Sequence, residues 1–224
     1  MINQTFEINK SITNILCDDI ISIFLLENNF INKYNKNYFL INDDKIIKMN
    51  DSSINYFDFK QFEIPKNSLK WNKIESILYK QLLINLKNYK DEILQFINSI
   101  EYNNIYNDYN EFNIFLNNKI FLKSFFIQEY KATNPNIFIT DFNKQNSRYN
   151  IITFIFFLND DNNCEIIITN NNTELLETKD EIIIKPKKGK LVLFSENMNY
   201  QYKYKLSENS IFLITGQLYY QYNK

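Results

Sequence analysis

The sequence contains no histidine. That absence removes every mechanism that needs an imidazole as general base, nucleophile partner or metal ligand. With only two cysteines, Cys17 and Cys164, a tetrahedral zinc site of Cys and His is excluded as well. Two cysteines give no disulfide framework, and both read as buried free thiols. Only two glycines are present, Gly189 and Gly216, so a glycine-rich phosphate loop cannot be built. An excess of one charge is missing too. The 25 Lys and Arg against 26 Asp and Glu leave a formal net charge of −1, which gives no electrostatic reason to expect nucleic acid or an anionic membrane as partner. No run approaches the ~18 apolar residues of a membrane helix; the longest, residues 20–26 and 151–158, are of strand or short core-helix size. The opening MINQTFEINK lacks the basic-then-apolar pattern of a secretory signal, so the expected location is cytoplasmic, with nuclear as the alternative.

What is present points to a folded chain. Apolar residues make up 45% and aromatics 17% of 224 residues, enough for one domain with a real core. Asn, Ile, Lys and Tyr are heavily used, as in an AT-rich coding genome, so Asn-rich loops such as 170–172 carry little functional weight.

Ile12, Ile15, Leu16, Ile20, Ile23 and Phe24, spaced three and four apart, predict a helix capped by Asn9 or Ser11 and ending near Asn28. Residues 38–41 and 56–62 alternate as strands, and Pro65 closes that section. From a cap at Ser68, the residues Trp71, Ile74, Leu78, Leu82, Tyr89, Ile93, Phe96 and Ile100 draw one apolar stripe, the face by which a long helix covers a sheet. Residues 101–113 are polar and read as a loop. Beyond them the chain turns β, with strands over 120–130, 137–142 (after a turn at Asn134-Pro135-Asn136), 151–158, 166–169, 182–184, 191–194, 200–206 and 211–220. This is about eight strands behind a helical layer, the number expected of a two-sheet jelly roll. No repeat or linker interrupts the chain. It reads as one α+β domain over 1–224: a helical and mixed supporting region over 1–113 and a jelly-roll core over 114–224.

The segment from Arg148 to Phe194 runs RYNIITFIFFLN, a turn, CEIII, a loop, then IIIKPKKGKLVLF. In this order it resembles the double-stranded β-helix of prolyl-4-hydroxylase-like 2-oxoglutarate/iron oxygenases, and the resemblance covers roughly residues 68–220. It implies that fold and also where the family's chemistry would sit. There, iron is held by two histidines and one carboxylate. The H-x-D motif falls on Ile139-Thr140-Asp141, so Asp141 is kept while Ile139 stands at the histidine position. Aligning Thr215-Gly216-Gln217 with the end of the family's core puts the second histidine at Gln201. The basic residue that clamps 2-oxoglutarate falls at Ile211. Tyr130 stands where the family often has a tyrosine lining the co-substrate pocket, and Arg148 at an arginine-like position suited to a salt bridge at the sheet edge.

Isoleucine offers no lone pair, and a glutamine amide is a weak, neutral ligand. Ile211 carries no charge to offset the burial of a dicarboxylate, and no Lys or Arg occurs from Leu206 to Asn223 to replace it. With these departures, the resemblance implies a vestigial pocket of Tyr130, Ile139, Asp141, Gln201 and Ile211, with no catalytic residue, metal or cofactor. Asp141 then either holds a hard cation through waters or simply hydrogen-bonds the turn around Asn143. The domain would serve to bind a protein. Poxvirus proteins carry such a domain without the iron ligands, and the segment Ile74-Glu75-Ser76-Ile77-Leu78-Tyr79-Lys80-Gln81, with the AT-rich composition, is similar to them. That similarity implies a viral antagonist of host oxygen sensing or innate immunity. Two alternatives stand beside it: an oxygenase with unorthodox ligands, and a self-assembling subunit joined through the tyrosine-rich stretches 102–109, 200–204 and 219–222. The oligomeric state stays open.

Lys185-Pro186-Lys187-Lys188-Gly189-Lys190 is a compact basic cluster. Without an aromatic platform or an overall positive charge, it reads as a turn between strands rather than a phosphate contact. Asp18-Asp19, Asp43-Asp44 and Asp160-Asp161 are sequence neighbours that do not face one another, so they read as solvated acids.

Overall fold

The computed structural model describes residues 5–27, 38–42, 45–48, 57–66, 68–99, 120–132, 138–141, 150–170, 181–195 and 200–220. In chain order the elements are β1 (Thr5–Ile8), α1 (Asn14–Leu26), β2 (Tyr38–Asn42), β3 (Lys45–Lys48), β4 (Phe57–Glu63) and α2 (Asn72–Ser99). They continue as β5 (Ile120–Leu122), β6 (Phe126–Ala132), β7 (Phe138–Asp141), β8 (Asn150–Phe157), β9 (Glu165–Asn170), β10 (Glu181–Ile184), β11 (Leu191–Ser195), β12 (Tyr200–Lys205) and β13 (Ile211–Tyr220).

Two antiparallel sheets result. The first runs β1-β11-β8-β13-β6-β4, with β5 paired to β13; the second runs β10-β9-β12-β7-β2-β3. From β6 onward the chain crosses back and forth, with β6, β8, β11 and β13 in the first sheet and β7, β9, β10 and β12 in the second. This winding is a double-stranded β-helix of eight strands. The region before it is more than a helical support. Its strands β1 and β4 flank the first sheet, and β2 and β3 extend the second.

β8 reads as an unbroken apolar run because both its faces are buried. Ile152, Phe154 and Phe156 pack toward the helices, while Ile155 and Phe157 pack toward the second sheet. β11 and β13 divide in the same way. Leu191, Leu193, Ile214 and Leu218 join the helix side; Val192, Phe194, Ile211 and Leu213 join the inter-sheet side.

α2 buries Ile74, Leu78, Leu82, Leu86, Tyr89 and Ile93 against the first sheet, the predicted stripe over that span with Leu86 added; Ile100 and the side chain of Phe96 lie outside the described residues. Trp71, just before the helix, is 1% exposed, with its ring 5.5 Å from that of Phe62. Its indole N–H has no hydrogen-bond partner among the described residues.

α1 begins later than the sequence suggests. Thr13, not Asn9 or Ser11, is the cap, its hydroxyl accepting from Leu16 N at 3.2 Å. Ser11 and Ile12 are buried ahead of the helix because Ile12 N is tied to Gly189 O at 3.3 Å. The helix ends at Leu26, where Glu27 N returns to the carbonyls of Ile23 and Phe24. The run predicted over 120–130 is broken into β5 and β6. Between them, Phe125 O accepts from Ile64 N at 2.9 Å and the Ser124 hydroxyl donates to Glu63. Gly216 fits against this break: a Cβ there would lie 2.5 Å from the Phe154 ring and 2.6 Å from Ser124 O. The loop 101–113, the turn at Asn134-Pro135-Asn136, Arg148, and the stretches 102–109 and 221–222 lie outside the described residues.

Candidate functional site

The strand register decides how the five pocket positions relate. Tyr130 on β6 pairs directly with Ile211 on β13 in the first sheet. In the second sheet, Ile139 on β7 pairs with Tyr204 on β12, while Asp141 pairs with Tyr38 on β2. Gln201 pairs with Thr169 on β9 and lies two residues along β12 from Lys203, the partner of Thr140. Ile139, Asp141 and Gln201 are therefore gathered on two adjacent strands by backbone register alone; their side chains lie outside the described set.

The two sheets meet at Tyr130. Its ring stacks on that of Tyr204, centroids 5.4 Å apart and planes 16° from parallel, which joins the Tyr130–Ile211 pair to the strand facing Ile139. Around this stack the space between the sheets is filled by Ile155, Phe157, Ile166, Ile168 and Leu213, all nearly inaccessible. Ile211 itself is 1% exposed. A polar seam runs along one side. The Tyr130 hydroxyl donates to Gln128 Oε1 at 3.1 Å, and Gln128 Nε2 donates to Gln61 Oε1 at 2.7 Å.

By their chemistry, the residues at the positions the resemblance assigns do not fit iron and a dicarboxylate: the buried Ile211 supplies no charge, and Ile139 and Gln201 supply no imidazole. Among the described residues, no group of three or more Cys, Asp or Glu could hold a metal ion. Cys164, in the same apolar cluster, is no nucleophile. Burial first, then the nearby charges of Asp161 and Glu165, push its thiol up to about 12, so it stays protonated at neutral pH.

Asp161 corrects the sequence reading. It is not solvated but 6% exposed, its carboxylate accepting from the Ser207 hydroxyl, Asn163 N at 2.8 Å and Cys164 N at 3.2 Å. It ties the β8–β9 turn to the β12–β13 turn. The Asp-Asn-Asn-Cys order, in which an aspartate can bond the amides two and three residues on, was the available signal. The basic cluster is a turn, as its Pro and Gly suggest: Gly189 has φ +79° and Lys190 N donates to Lys187 O at 2.9 Å. Two of its cations are neutralised inside the chain, Lys188 by Asp18 and Lys190 by Glu7 at 2.8 Å.

The winding of eight strands in two sheets, backed by two helices, defines the double-stranded β-helix class. Within that class the chain shares its fold with the prolyl hydroxylases and other 2-oxoglutarate/iron oxygenases. The viral collagen prolyl hydroxylase of Paramecium bursaria Chlorella virus-1 is similar at 11% identity and TM-score 0.54, over 98% of this chain and 97% of that one. A Pseudomonas putida prolyl-4-hydroxylase is 11% identical with TM-score 0.54, over 97% of this chain and 93% of that one. A Trichoplax adhaerens prolyl hydroxylase, solved with a hypoxia-inducible-factor peptide, is 13% identical with TM-score 0.56, over 97% and 84% respectively. No protein-family model and no curated protein sequence matches the chain. No helix among the described residues is long and apolar enough to cross a membrane.

Proposed function

We propose that this chain is a non-catalytic prolyl-hydroxylase-like protein that acts by binding another protein. The observation that carries this reading is the inter-sheet space at Tyr130, Tyr204 and Ile211, packed among the described residues with buried side chains where the resemblance would put the family's co-substrate. A fold that has lost its ligands and filled its pocket retains its surface as the part able to act. The similar Trichoplax structure holds a peptide of the hypoxia-inducible factor, so the fold is suited to engaging a protein segment, and the Chlorella virus enzyme places the fold in a virus. Together with the poxvirus-like segment at residues 74–81, these support a viral antagonist of host oxygen sensing or innate immunity, working in the cytoplasm.

The test is thermal unfolding of the purified protein with manganese or ferrous iron, with and without 2-oxoglutarate, alongside elemental analysis. A working site stabilises by RT ln(1 + [L]/Kd), so ligand at about 100 times Kd raises the melting point by several degrees. The expected result is no shift. A shift that disappears in Asp141→Ala would overturn the proposal in favour of an oxygenase with unorthodox ligands.

A further inference from the structure

The second sheet ends at β10, which among the described residues pairs only with β9. No described residue pairs with its other edge, and folded proteins usually blunt a free edge with charge, proline or a bulge. This edge reads Glu181-Ile182-Ile183-Ile184-Lys185-Pro186, with charge and proline at its ends and three consecutive isoleucines between them. Ile184 is buried between the sheets and Ile182 packs beside it, whereas Ile183 points away from the core and is 53% exposed. Glu181 and Lys185 lie on the same outer face as Ile183, are exposed, and have no ion-pair partner among the described residues.

The order of these five residues is self-complementary. Laid antiparallel on a second copy about a two-fold axis at Ile183, Glu181 meets Lys185, Ile183 meets Ile183, and Lys185 meets Glu181, all on the outer face. On the inner face Ile182 meets Ile184 twice, continuing the apolar layer of each molecule across the junction. Pro186, lacking an N–H, stops the pairing just past Lys185 and holds Lys185 extended, which fixes the register. We infer that β10 is a homodimer interface, pairing antiparallel with β10 of a second copy of this chain so that the second sheets of the two molecules become one continuous sheet.

A pairing of five residues per strand is small, so the dimer should be concentration-dependent. Sedimentation equilibrium of the full chain, from micromolar to millimolar protein, is expected to show reversible association to twice the 27.1 kDa of the chain. Glu181→Lys places like charges opposite one another at both ends of the ladder, as does Lys185→Glu. Each is expected to weaken association by roughly tenfold. The double variant Glu181→Lys/Lys185→Glu restores opposite charges and is expected to recover wild-type association, which separates an interface effect from misfolding. A wild-type chain that stays monomeric throughout would overturn the inference. So would a dimer indifferent to both single variants, or one that the double variant does not rescue.

Discussion

The two faces of the first sheet pack their rings in different ways. The helix-facing side is aromatic and interlocked, with Phe125 and Phe154 edge-on at 5.5 Å, Phe154 and Phe156 at 6.0 Å, and Phe24 against Phe212 at 6.1 Å. The side facing the second sheet also holds rings, Phe157, Phe194 and the near-parallel stack of Tyr130 on Tyr204, set among branched aliphatics and beside a glutamine seam. Rings in edge contact demand one geometry, whereas branched aliphatics close a volume with less directional constraint. The helix side thus fixes the architecture. On the inter-sheet side the buried polar groups Tyr130 and Gln128 are hydrogen-bonded to one another and on to Gln61.

The largest expected effect lies on the helix side. Phe156→Ala, fully buried between α1, α2 and the first sheet, should cost about 3–5 kcal/mol in chemical denaturation. Leu213→Ala, its counterpart on the inter-sheet side, should cost about 2–5 kcal/mol and fall below Phe156→Ala; the reverse order would refute the division of labour. The two thiols sharpen the comparison, because Cys17 belongs to the helix side and Cys164 to the inter-sheet side. Burial raises Cys17 from 9.0 to about 11 and Cys164 from 9.0 to about 12. Since the folded state favours the protonated thiols, their contribution is complete below pH 9 and is lost as pH rises through 11 and then 12. Stability measured against pH should therefore fall above pH 9, and Cys17→Ser and Cys164→Ser should each flatten part of that fall. Tyr130→Phe removes one hydrogen bond of the seam and should cost about 0.5–1.5 kcal/mol without changing the fold's circular dichroism. Lys188→Ala, which deletes a surface ion pair with a largely exposed Asp18, should change stability by about 1 kcal/mol or less.

Much of this was legible in the sequence because the β-helix announces itself through punctuated apolar runs. The four runs from 151 to 194 became β8 to β11 with boundaries within a residue or two. What was hidden depends on partners distant in sequence. β1 is a four-residue strand whose place in the sheet follows from pairing with β11, far along the chain, and the short polar–apolar alternation of TFEI is the one local signal for it. The break between β5 and β6 follows from Ile64 N reaching Phe125 O. Asp161 reads as solvated in the sequence because adjacent acids do not face one another, and its partner Ser207 lies far along the chain. Of the five positions the resemblance assigns to a pocket, the backbone register pairs Tyr130 with Ile211 and sets Ile139, Asp141 and Gln201 on adjacent strands. The burial of Ile211 in the cluster that also holds Tyr130 and Tyr204 depends on the second sheet being in place.

Trp71 is the only tryptophan in the chain, and it sits where α2 meets the first sheet, beside Phe62. Tryptophan emission, excited selectively over the 16 tyrosines, therefore reports a single seam. A fluorescence melt follows the docking of α2 and is blind to the packing between the two sheets, which only the β-sheet signal of circular dichroism can follow. Coincident curves from the two probes mean that the helix layer and the β-helix come apart as one cooperative unit; an earlier fluorescence transition means that the sandwich outlives its helical cover.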